Sequence, residues 1–300
     1  MKGLKVGHYT HEMHGTGASV FIFDESAVGA YCLCGSSPAS HELGTLALDA
    51  NVTHVNGLAL LGGSAFGLPA VNGMMRWLHE QKRGWATPHG AVPIVPAAAI
   101  YDLGVKKDLP PTEFEVYEAC VLAKEDNKAS GRIGAGTGAS VGKVIQKAKR
   151  MSGGLGRAEI SLPNGTSVLA YAVVNAVGDV LDESGRILAG ARLENGEFGN
   201  CENYLLSGAP EENLSSENTT LIALFTNARF SKIELGRIAK MAIAGMARAI
   251  SPIFSRYDGD LVFAFSLGDK VAAEMVVGAM AAQAIQRAIM NAVEESIILA

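Results

Sequence analysis

The stretch ENTTLIALFTNA, residues 217–228, passes within a few positions from a polar linker to an apolar strand. Before it, Ala209–Asn218 reads APEENLSSEN, which is polar and acidic with a proline near its start, as is typical of an exposed linker. Thr220–Thr226 is instead apolar and β-branched, and this pattern predicts a buried strand. The Asn218–Thr219 bond is therefore expected where an accessible segment meets a core strand.

Strand and helix patterns occur in every third of the chain. Short apolar or β-branched runs bounded by turn residues predict further strands at Ala18–Asp24, Val28–Leu33, Gly57–Leu61 and Ser167–Asn175. Ala, Met and Leu with charges at helical spacing predict helices at Ala65–Lys82, Ser231–Ile250 and Lys270 to about Val293. Two glycine-rich segments without periodicity are predicted to be ordered loops, Gly131–Gly142 and Ser152–Gly156. The expected class is α/β.

The composition predicts one compact unit that acts on a small or peptide-like ligand. With 300 residues, of which 48% are hydrophobic, the chain can bury a large core and is near the upper size of one domain. Its net charge is −5 and it has no Lys/Arg run interleaved with aromatics, so nucleic acid is not an expected partner. It shows no apolar signal core and no run of the roughly 18 apolar residues that a membrane span needs. A soluble, cytoplasmic protein without membrane contact is expected.

The potential metal ligands do not form a recognisable site. Cys32, Cys34, Cys120 and Cys201 have neither zinc-type spacing nor the density of a disulfide-stapled domain, and they are predicted to be reduced thiols. The three histidines spaced by three residues are flanked by glycines and polar residues, which predicts a surface loop for His8, His11 and His14. No metal or organic cofactor is expected.

Two motifs in the glycine-rich loop lack essential parts. Gly138–Gly142 matches the letters of the G-x-S-x-G nucleophile elbow, which requires Asp and then His downstream of the Ser. All seven histidines lie upstream of Ser140, so that order is not met. Gly142–Lys143 resembles the end of a phosphate loop, but Thr137 replaces its first Gly and Val144 its final Ser/Thr. Neither a Ser-His-Asp triad nor nucleotide binding is predicted.

Without a usable histidine, amide hydrolysis needs another base to activate a hydroxyl. A threonine at a new N-terminus supplies one, because its α-amine has a reference pKa of about 7.7–8.0. Thr219 fits this requirement, since it lies between the linker and the strand. Asn-Thr-Thr before a strand is more often a simple turn, so the residues alone leave both interpretations open and favour the turn.

A pair of carboxylates lies further downstream. Asp258-Gly259-Asp260 precedes the apolar run Leu261–Leu267. If a strand begins at this point, the two aspartates at i and i+2 point to one face, and Gly259 lets another group approach between them. Paired carboxylates could orient an α-amine near the Thr hydroxyl, and their repulsion raises the pKa of one of them. A polar turn leading into a strand is the alternative.

Seven segments, in order along nearly the whole chain, resemble a known family, the self-processing N-terminal-nucleophile hydrolases. That family includes L-aminopeptidase/D-esterases, β-aminopeptidases and the endo-acting nylon-oligomer (6-aminohexanoate oligomer) hydrolase. The segments are LLGGSAFGLPAVNGMMRWL (60–78), VPIVPAAAIYDL (92–103), GRIGAGTGASVGK (131–143), SGGLGRA (152–158), VVNAVGDVLD (173–182), ENTTLIALFTNA (217–228) and DGD (258–260). As a set they favour the nucleophile interpretation of Thr219 over the turn.

The resemblance implies a fold, a processing event and a set of site residues. The fold is a four-layer αββα sandwich of the aminopeptidase/ornithine acetyltransferase type. Autocleavage between Asn218 and Thr219 gives fragments 1–218 and 219–300 of a single domain spanning 1–300. The roles implied by matching motifs are Thr219 as nucleophile, Asp258 and Asp260 organising its amine and hydroxyl, Asn175 as oxyanion donor, and Tyr101 and Lys143 lining the site.

The chain also departs from part of this family. Aminopeptidase members carry a Ser nucleophile, followed by a Ser and Glu pair where this chain has Asp258 and Asp260. Thr219 with two aspartates is more similar to the nylon-oligomer branch. The resemblance therefore implies a hydrolase of peptide or amide bonds whose partners are its substrate and its own cleaved fragment. Acyl transfer to an amine and an unprocessed, non-catalytic protein stay open as alternatives.

The Ala- and Met-rich run Val271–Val293 also predicts a homo-oligomer.

Overall fold

Residues 1–208 and 218–298 are described by the computed structural model, in which they form sixteen strands and six α-helices. The strands are β1 (Leu4–His11), β2 (Thr16–Leu33), β3 (Ala39–His41), β4 (His54–Leu61), β5 (Trp85–Thr87), β6 (Gly90–Val92), β7 (Ala97–Ala99), β8 (Ser140–Val141), β9 (Met151–Ser152), β10 (Gly154–Ser161), β11 (Ser167–Asn175), β12 (Asp179–Leu181), β13 (Ile187–Ala189), β14 (Thr219–Ala228), β15 (Ile250–Ser251) and β16 (Leu261–Lys270). The helices are α1 (Ser64–Gly67), α2 (Asn72–Glu80), α3 (Glu113–Val121), α4 (Cys201–Leu206), α5 (Lys232–Ala249) and α6 (Glu274–Ile298), with 3₁₀ turns at Leu43–Leu46, Leu68–Val71 and Gly134–Gly136.

A nine-stranded mixed sheet dominates the fold and confirms the α/β class. Its order is β10-β11-β14-β16-β2-β4-β7-β3, with β1 paired to β2. Strand β14 runs antiparallel to β11, with Thr219 opposite Asn175. It runs parallel to β16, with Leu221 opposite Leu261. The first residue of β14 therefore lies between the end of β11 and the residues that immediately precede β16.

Strand β14 is apolar throughout because both of its faces are buried. Ile222 and Leu224 belong to a cluster that contains residues of α5 and α6. Leu221 and Phe225 belong to a second cluster, which also contains Phe21 of β2 and residues of β4. A strand covered on both sides reads as a continuous apolar run rather than an alternating one. The predicted strand at Thr220–Thr226 is thus confirmed and begins one residue earlier.

A third cluster covers the opposite faces of β2 and β4. It contains Val20 and Ala59 from these strands, together with Met74 of α2 and Val116 of α3. Helices α2 and α3 therefore pack on β4 and the first part of β2, whereas α5 and α6 share a cluster with β14 and with Ala30 in the second part of β2.

The two runs predicted as separate strands at Ala18–Asp24 and Val28–Leu33 form one strand, β2, of 18 residues. Its register with β4 shifts between Ile22 and Ala27, so the strand carries a bulge there. Residues 24–26 at the bulge are exposed. These polar residues interrupt the apolar pattern without ending the strand.

The predicted helices need two corrections. The segment Ala65–Lys82 is divided into α1, a 3₁₀ turn and α2, with Pro69, which has no backbone N–H to donate, in the turn. The last helix begins at Glu274 rather than Lys270, because β16 extends to Lys270. The prediction at Ser231–Ile250 is confirmed as α5, whose capping box joins Ser231 and Glu234.

Two predicted loops are wrong. Ser152–Gly156 is extended and falls in β9 and β10, and its glycines reflect close helix packing: a Cβ at Gly156 would lie 1.9 Å from the Ala288 carbonyl oxygen of α6. The histidine loop is also mostly strand, since His8 and His11 belong to β1 and only His14 follows it. His8 Nδ1 lies 2.9 Å from Ser19 Oγ in a hydrogen bond.

Four further sequence predictions concern other parts of the chain. The loop predicted at Gly131–Gly142 is largely confirmed, with one 3₁₀ turn and the short β8 inside it. The four cysteines are free. No helix within the described ranges has the length and apolar character to cross a membrane. Of the predicted linker Ala209–Asn218, only Asn218 belongs to the described residues.

Candidate active site

The Thr219 hydroxyl contacts the peptide bond that precedes it. Thr219 is 5% exposed, and its Oγ1 donates a hydrogen bond to the Asn218 carbonyl oxygen at 2.5 Å. The same oxygen accepts the Gly259 N–H at 2.9 Å. A donor fixed on a carbonyl oxygen stabilises the negative charge that develops there when a nucleophile attacks the carbon. The Thr219 hydroxyl and a hydrogen-bond donor for the oxyanion thus both lie next to this peptide bond.

Gly259 occupies a position that tolerates no side chain. A parallel bridge between Asn218 and Asp258 extends the β14–β16 pairing and aims the Gly259 N–H at the Asn218 carbonyl. A Cβ at Gly259 would lie 2.8 Å from both Thr219 Oγ1 and the Ser37 carbonyl oxygen, closer than real Cβ contacts. The sequence indicated a close approach at this glycine, but it did not reveal the backbone donor. Its only local signal was a glycine between two carboxylates.

Asp260 is fixed on both its side chain and its backbone. It is 1% exposed, and its Oδ1 accepts the Thr220 N–H at 2.5 Å. Its carbonyl oxygen accepts the N–H groups of Cys34 at 2.9 Å and Gly35 at 3.0 Å. Oδ2 is buried and has no hydrogen-bond partner among the residues that the structure describes. Among the described contacts, Asp260 Oδ2 is therefore the carboxyl oxygen that can still accept a hydrogen bond from another group.

Asp258 is held by the loop that precedes β16. It is 1% exposed; its Oδ2 accepts the Ser255 N–H at 2.7 Å, and its carbonyl oxygen accepts the Ser37 N–H at 2.9 Å. Strand β16 begins at Leu261, after both carboxylates. The condition for a shared strand face is therefore not met, and hydrogen bonds of the loop orient the two side chains.

Burial governs the protonation of this carboxyl pair. It raises the pKa of Asp258, against the smaller opposing effects of its hydrogen bonds and of the Lys143 charge. Burial, reinforced by the negative charge of Asp258, raises the pKa of Asp260 to about 8. The pair therefore retains a proton at pH values where an ordinary aspartate is ionised.

Asn175 lies opposite Thr219 and forms hydrogen bonds with the two remaining predicted residues, Lys143 and Tyr101. It is fully buried at the end of β11, and its Oδ1 accepts from Lys143 Nζ at 2.7 Å and from the Ser140 N–H at 3.0 Å. Its Nδ2 donates to the Tyr101 carbonyl oxygen at 3.1 Å. The structure thus brings Lys143, Asn175 and the Tyr101 backbone together beside the start of β14.

The end of the glycine-rich loop positions Lys143. The Lys143 N–H donates to the Val177 carbonyl oxygen at 2.8 Å, and the Gly142 N–H donates to the Gly178 carbonyl oxygen at 2.9 Å. Gly142 has a φ of +75°, and a Cβ there would lie 2.1 Å from Ala191 N. The glycine is therefore required by packing, and the loop holds an ammonium group against Asn175.

No group of three or more His, Cys, Asp or Glu side chains is arranged to hold a metal ion within residues 1–208 and 218–298. The groups that converge are a hydroxyl, two buried carboxyls, an ammonium and an amide. This set can carry out nucleophilic attack on a carbonyl and stabilise the resulting oxyanion.

Two solved structures with a similar fold are described as aminopeptidases. The chain is similar to a β-aminopeptidase of Burkholderia sp., with a TM-score of 0.71 and 18% identity over 97% of this chain and 84% of that one. It is also similar to the L-aminopeptidase D-Ala-esterase/amidase of Ochrobactrum anthropi, described as a variant of the Ntn hydrolase fold, with a TM-score of 0.73 and 17% identity over 97% and 84% of the two chains. The fold is that of an Ntn hydrolase.

Sequence relatives define the activity. The chain is 35% identical to an uncharacterized aminopeptidase of Mycobacterium leprae, over 89% of this chain and 77% of the relative. It is 30% identical to the 6-aminohexanoate-oligomer endohydrolase of Kocuria sp., over 87% and 72% of the two chains. The protein is a hydrolase of peptide or amide bonds. It belongs to peptidase family S58, whose sequence model matches residues 1–300, and this confirms the resemblance inferred from the seven segments.

The buried Asp260 carboxyl predicts a pH-dependent stability. Its pKa rises from 3.8 to about 8 on folding, so its contribution to stability is complete below pH 3.8 and is lost as the pH rises through about 8. The amide of an Asp260→Asn variant does not titrate. In an uncleaved Thr219→Ala background, the stability of the parent relative to this variant should therefore fall between pH 5 and pH 8. Urea unfolding of both proteins at these two pH values measures their free energies of unfolding. If the difference in free energy between the two proteins were the same at both pH values, the raised pKa of Asp260 would be refuted.

Proposed function

We propose that the chain cleaves itself between Asn218 and Thr219 and that Thr219, as the new N-terminus, is the nucleophile of an amidohydrolase. The observation that carries this proposal is the environment of the Asn218 carbonyl. Thr219 Oγ1 lies 2.5 Å from the Asn218 carbonyl oxygen. The same oxygen accepts a hydrogen bond from the Gly259 N–H at 2.9 Å. A hydroxyl and an oxyanion donor thus converge on the peptide bond that the proposal breaks.

Self-cleavage proceeds through an ester. Thr219 Oγ1 bonds to the Asn218 carbonyl carbon, its proton passes to the ionised carboxylate of the aspartate pair, and the Gly259 N–H stabilises the oxyanion. The C–N bond then breaks and the nitrogen takes up a proton, which leaves Asn218 esterified to the Thr219 oxygen. Water hydrolyses this ester to an Asn218 carboxylate and a free Thr219. The Thr219 nitrogen is an amide during the attack, so the carboxyl pair must supply the base.

Turnover uses the same hydroxyl with a different base. The freed α-amine accepts the hydroxyl proton while Oγ1 attacks the substrate carbonyl, and the leaving amine takes up that proton. Water then hydrolyses the acyl ester and regenerates Thr219. Asp260, whose Oδ2 has no partner in the described part of the chain, and Asp258 orient the amine. Asn175 and Lys143, opposite Thr219, supply a donor and positive charge for the oxyanion.

The proposal extends to the architecture, for which we infer four layers in the order αββα. The three clusters support it, since two of them each join strands to a helix pair and the third joins strands to strands. The cleaved fragments stay together as one domain, because β14 pairs with β11 of the large fragment and β16 pairs with β2.

The proposed homo-oligomer is supported by apolar side chains that are exposed near the beginning of α6. Helix α6 buries most of its apolar side chains within the chain. Exposed apolar side chains remain near its beginning, where Val271 is 84% and Met275 is 76% exposed. Self-association through this end stays a proposal, and the cytoplasmic location stays a prediction.

The proposed function is tested by assaying purified protein for processing and amide hydrolysis together. Suitable substrates are amino-acid p-nitroanilides, β-peptides and 6-aminohexanoate oligomers, each with and without an added amine as acyl acceptor. Two bands on a denaturing gel with release of free amine support a processed hydrolase. Acyl products that form only with the added amine would instead identify a transferase. A single full-length band without turnover would leave the non-catalytic alternative.

A further inference from the structure

Two cysteines lie side by side where β2 ends next to the candidate site. Cys32 is opposite Val262 in the pairing of β2 with β16, and Cys34 follows two residues later. Residues two apart in an extended segment point to the same face. The Cys34 thiol reaches back toward Cys32 and donates to its carbonyl oxygen at 3.5 Å. Both cysteines are partly exposed, whereas Cys120 and Cys201 are buried, so the pair is the more accessible to small reagents.

The backbone beside this pair is joined directly to the aspartates of the site. The N–H groups of Cys34 and Gly35 donate to the Asp260 carbonyl oxygen at 2.9 and 3.0 Å. Gly35 packs against the same loop, since a Cβ there would lie 2.1 Å from the Asp258 carbonyl oxygen. A displacement of the Cys34 backbone is therefore transmitted to the loop that carries both carboxyls. Neither self-cleavage nor turnover uses the two thiols.

The surroundings of the two thiols make them chemically unequal. A hydrogen bond from the Cys34 thiol lowers the pKa of Cys32 to about 7, and the charge of Lys240 on α5 acts in the same direction, against the effect of burial. The hydrogen bond with Cys32 and burial raise the pKa of Cys34, and an ionised Asp260 adds to this. The thiolate is the nucleophilic form of cysteine. Cys32 is therefore the thiol that reacts first, and Cys34 stays protonated beside it.

We propose that Cys32 and Cys34 form a modification site for hydroperoxides and that their oxidation to a disulfide slows the neighbouring active site. The Cys32 thiolate attacks one oxygen of the hydroperoxide and the O–O bond breaks, which leaves a sulfenic acid on Cys32. The other oxygen takes up a proton and leaves as water or an alcohol. The Cys34 sulfur then attacks the Cys32 sulfur, the S–O bond breaks, and the hydroxyl leaves as water with the Cys34 proton. The two thiols are oxidised and the hydroperoxide is reduced.

The disulfide requires the backbone between the two cysteines to contract. Side chains on one face of a strand are spaced by about 6.6 Å along it, whereas a disulfide places its Cβ atoms only about 3.8 Å apart. Contraction displaces the Cys34 N–H from the Asp260 carbonyl oxygen that it now holds. A shift of about 1 Å in a catalytic group costs on the order of 10²-fold in rate. This step rests on the proposed function, because it takes Asp260 as part of the active site.

Treatment of the purified protein with hydrogen peroxide tests the inference. After catalase has removed the peroxide, N-ethylmaleimide alkylates the remaining thiols and peptide mapping locates them. The peptide with Cys32 and Cys34 should carry no alkyl group and be lighter by about 2 Da, as for a disulfide. The amidase rate should fall by at least about 10-fold. It should recover with dithiothreitol, which leaves methionine sulfoxide unreduced.

Cysteine variants assign the effect to this pair. C32S should form no disulfide and should keep its amidase rate after peroxide, and C32A is a second variant if C32S fails to fold. C34S should stop at a sulfenic acid on Cys32, which dimedone traps. C120A is the matched control, because it removes a buried thiol elsewhere and should respond like the unaltered protein.

The mass and the rate separate the two levels of the proposal. If Cys32 and Cys34 were both still alkylated after peroxide, the modification site would be overturned. A disulfide that forms without a change in amidase rate would overturn its effect on the active site. Protein that forms the disulfide but shows neither processing nor turnover before oxidation would overturn the proposed function, while the mass would still establish the modification site.

Discussion

Thr219→Ala protein is expected to remain one chain of 31.3 kDa and to lose at least about 10⁴-fold of its amidase rate. The substitution removes the oxygen that lies 2.5 Å from the Asn218 carbonyl oxygen, and with it the nucleophile of both self-cleavage and turnover. Because only a methyl and a hydroxyl are lost, the β14 pairing on either side should persist. Gel analysis and amidase assay of the same preparation measure the two effects.

Two further substitutions at this position separate the two roles of the hydroxyl. Thr219→Ser keeps an oxygen nucleophile, so it should still self-cleave, but it loses the methyl that restricts χ1 and should position the oxygen less well. Thr219→Cys should allow processing while amide turnover falls, because a thioester replaces the ester. An active and fully processed Thr219→Ala protein would overturn the mechanism.

Asp260→Asn and Asp258→Asn are expected to lower processing or turnover by at least about 10²-fold, the scale of a lost general-base system. Each change keeps the size of the side chain, and the amide oxygen in Asp260→Asn can still accept the Thr220 N–H that now binds Asp260 Oδ1 at 2.5 Å. Asp258→Asn removes the carboxylate that can take the hydroxyl proton in self-cleavage, and Asp260→Asn removes the carboxyl whose Oδ2 orients the α-amine afterwards. The measurements are the rate of band conversion and the rate of amide hydrolysis.

A matched control for the aspartates lies on β16, the strand that follows them. Asp269→Asn removes a carboxylate from the exposed end of β16 and should change neither rate. If Asp258→Asn and Asp260→Asn also leave both rates unchanged, the two aspartates have only a structural role in the turn before β16.

The parts of the fold that the sequence predicted are those specified by local patterns. Strand β14 was predictable because burial on both faces makes its run continuously apolar. Helix α5 was predictable from its spacing, and Ser231 and Glu234 carry its capping box within four residues. The Thr219 junction follows from the same local contrast between a polar segment and an apolar strand.

The remaining features depend on packing between distant residues. Strand β10 begins with glycines that resemble a loop, but they are required by the crossing of α6. The exposed residues at the β2 bulge interrupt the pattern without ending the strand. Likewise, the Gly259 N–H reaches the Asn218 carbonyl only because β14 and β16 pair in parallel. Asn175, Lys143 and Tyr101 were selected by family resemblance, since nothing local indicates that they meet.

The account depends most directly on whether the Asn218–Thr219 bond breaks. Intact-mass measurement of freshly purified, unaltered protein under denaturing conditions detects this cleavage, and it needs no substrate. The expected result is two species, with the masses of fragments 1–218 and 219–300 and with Thr219 at the N-terminus of the smaller one. A single full-length species, from protein that stays uncleaved and inert to amide substrates, would contradict the account.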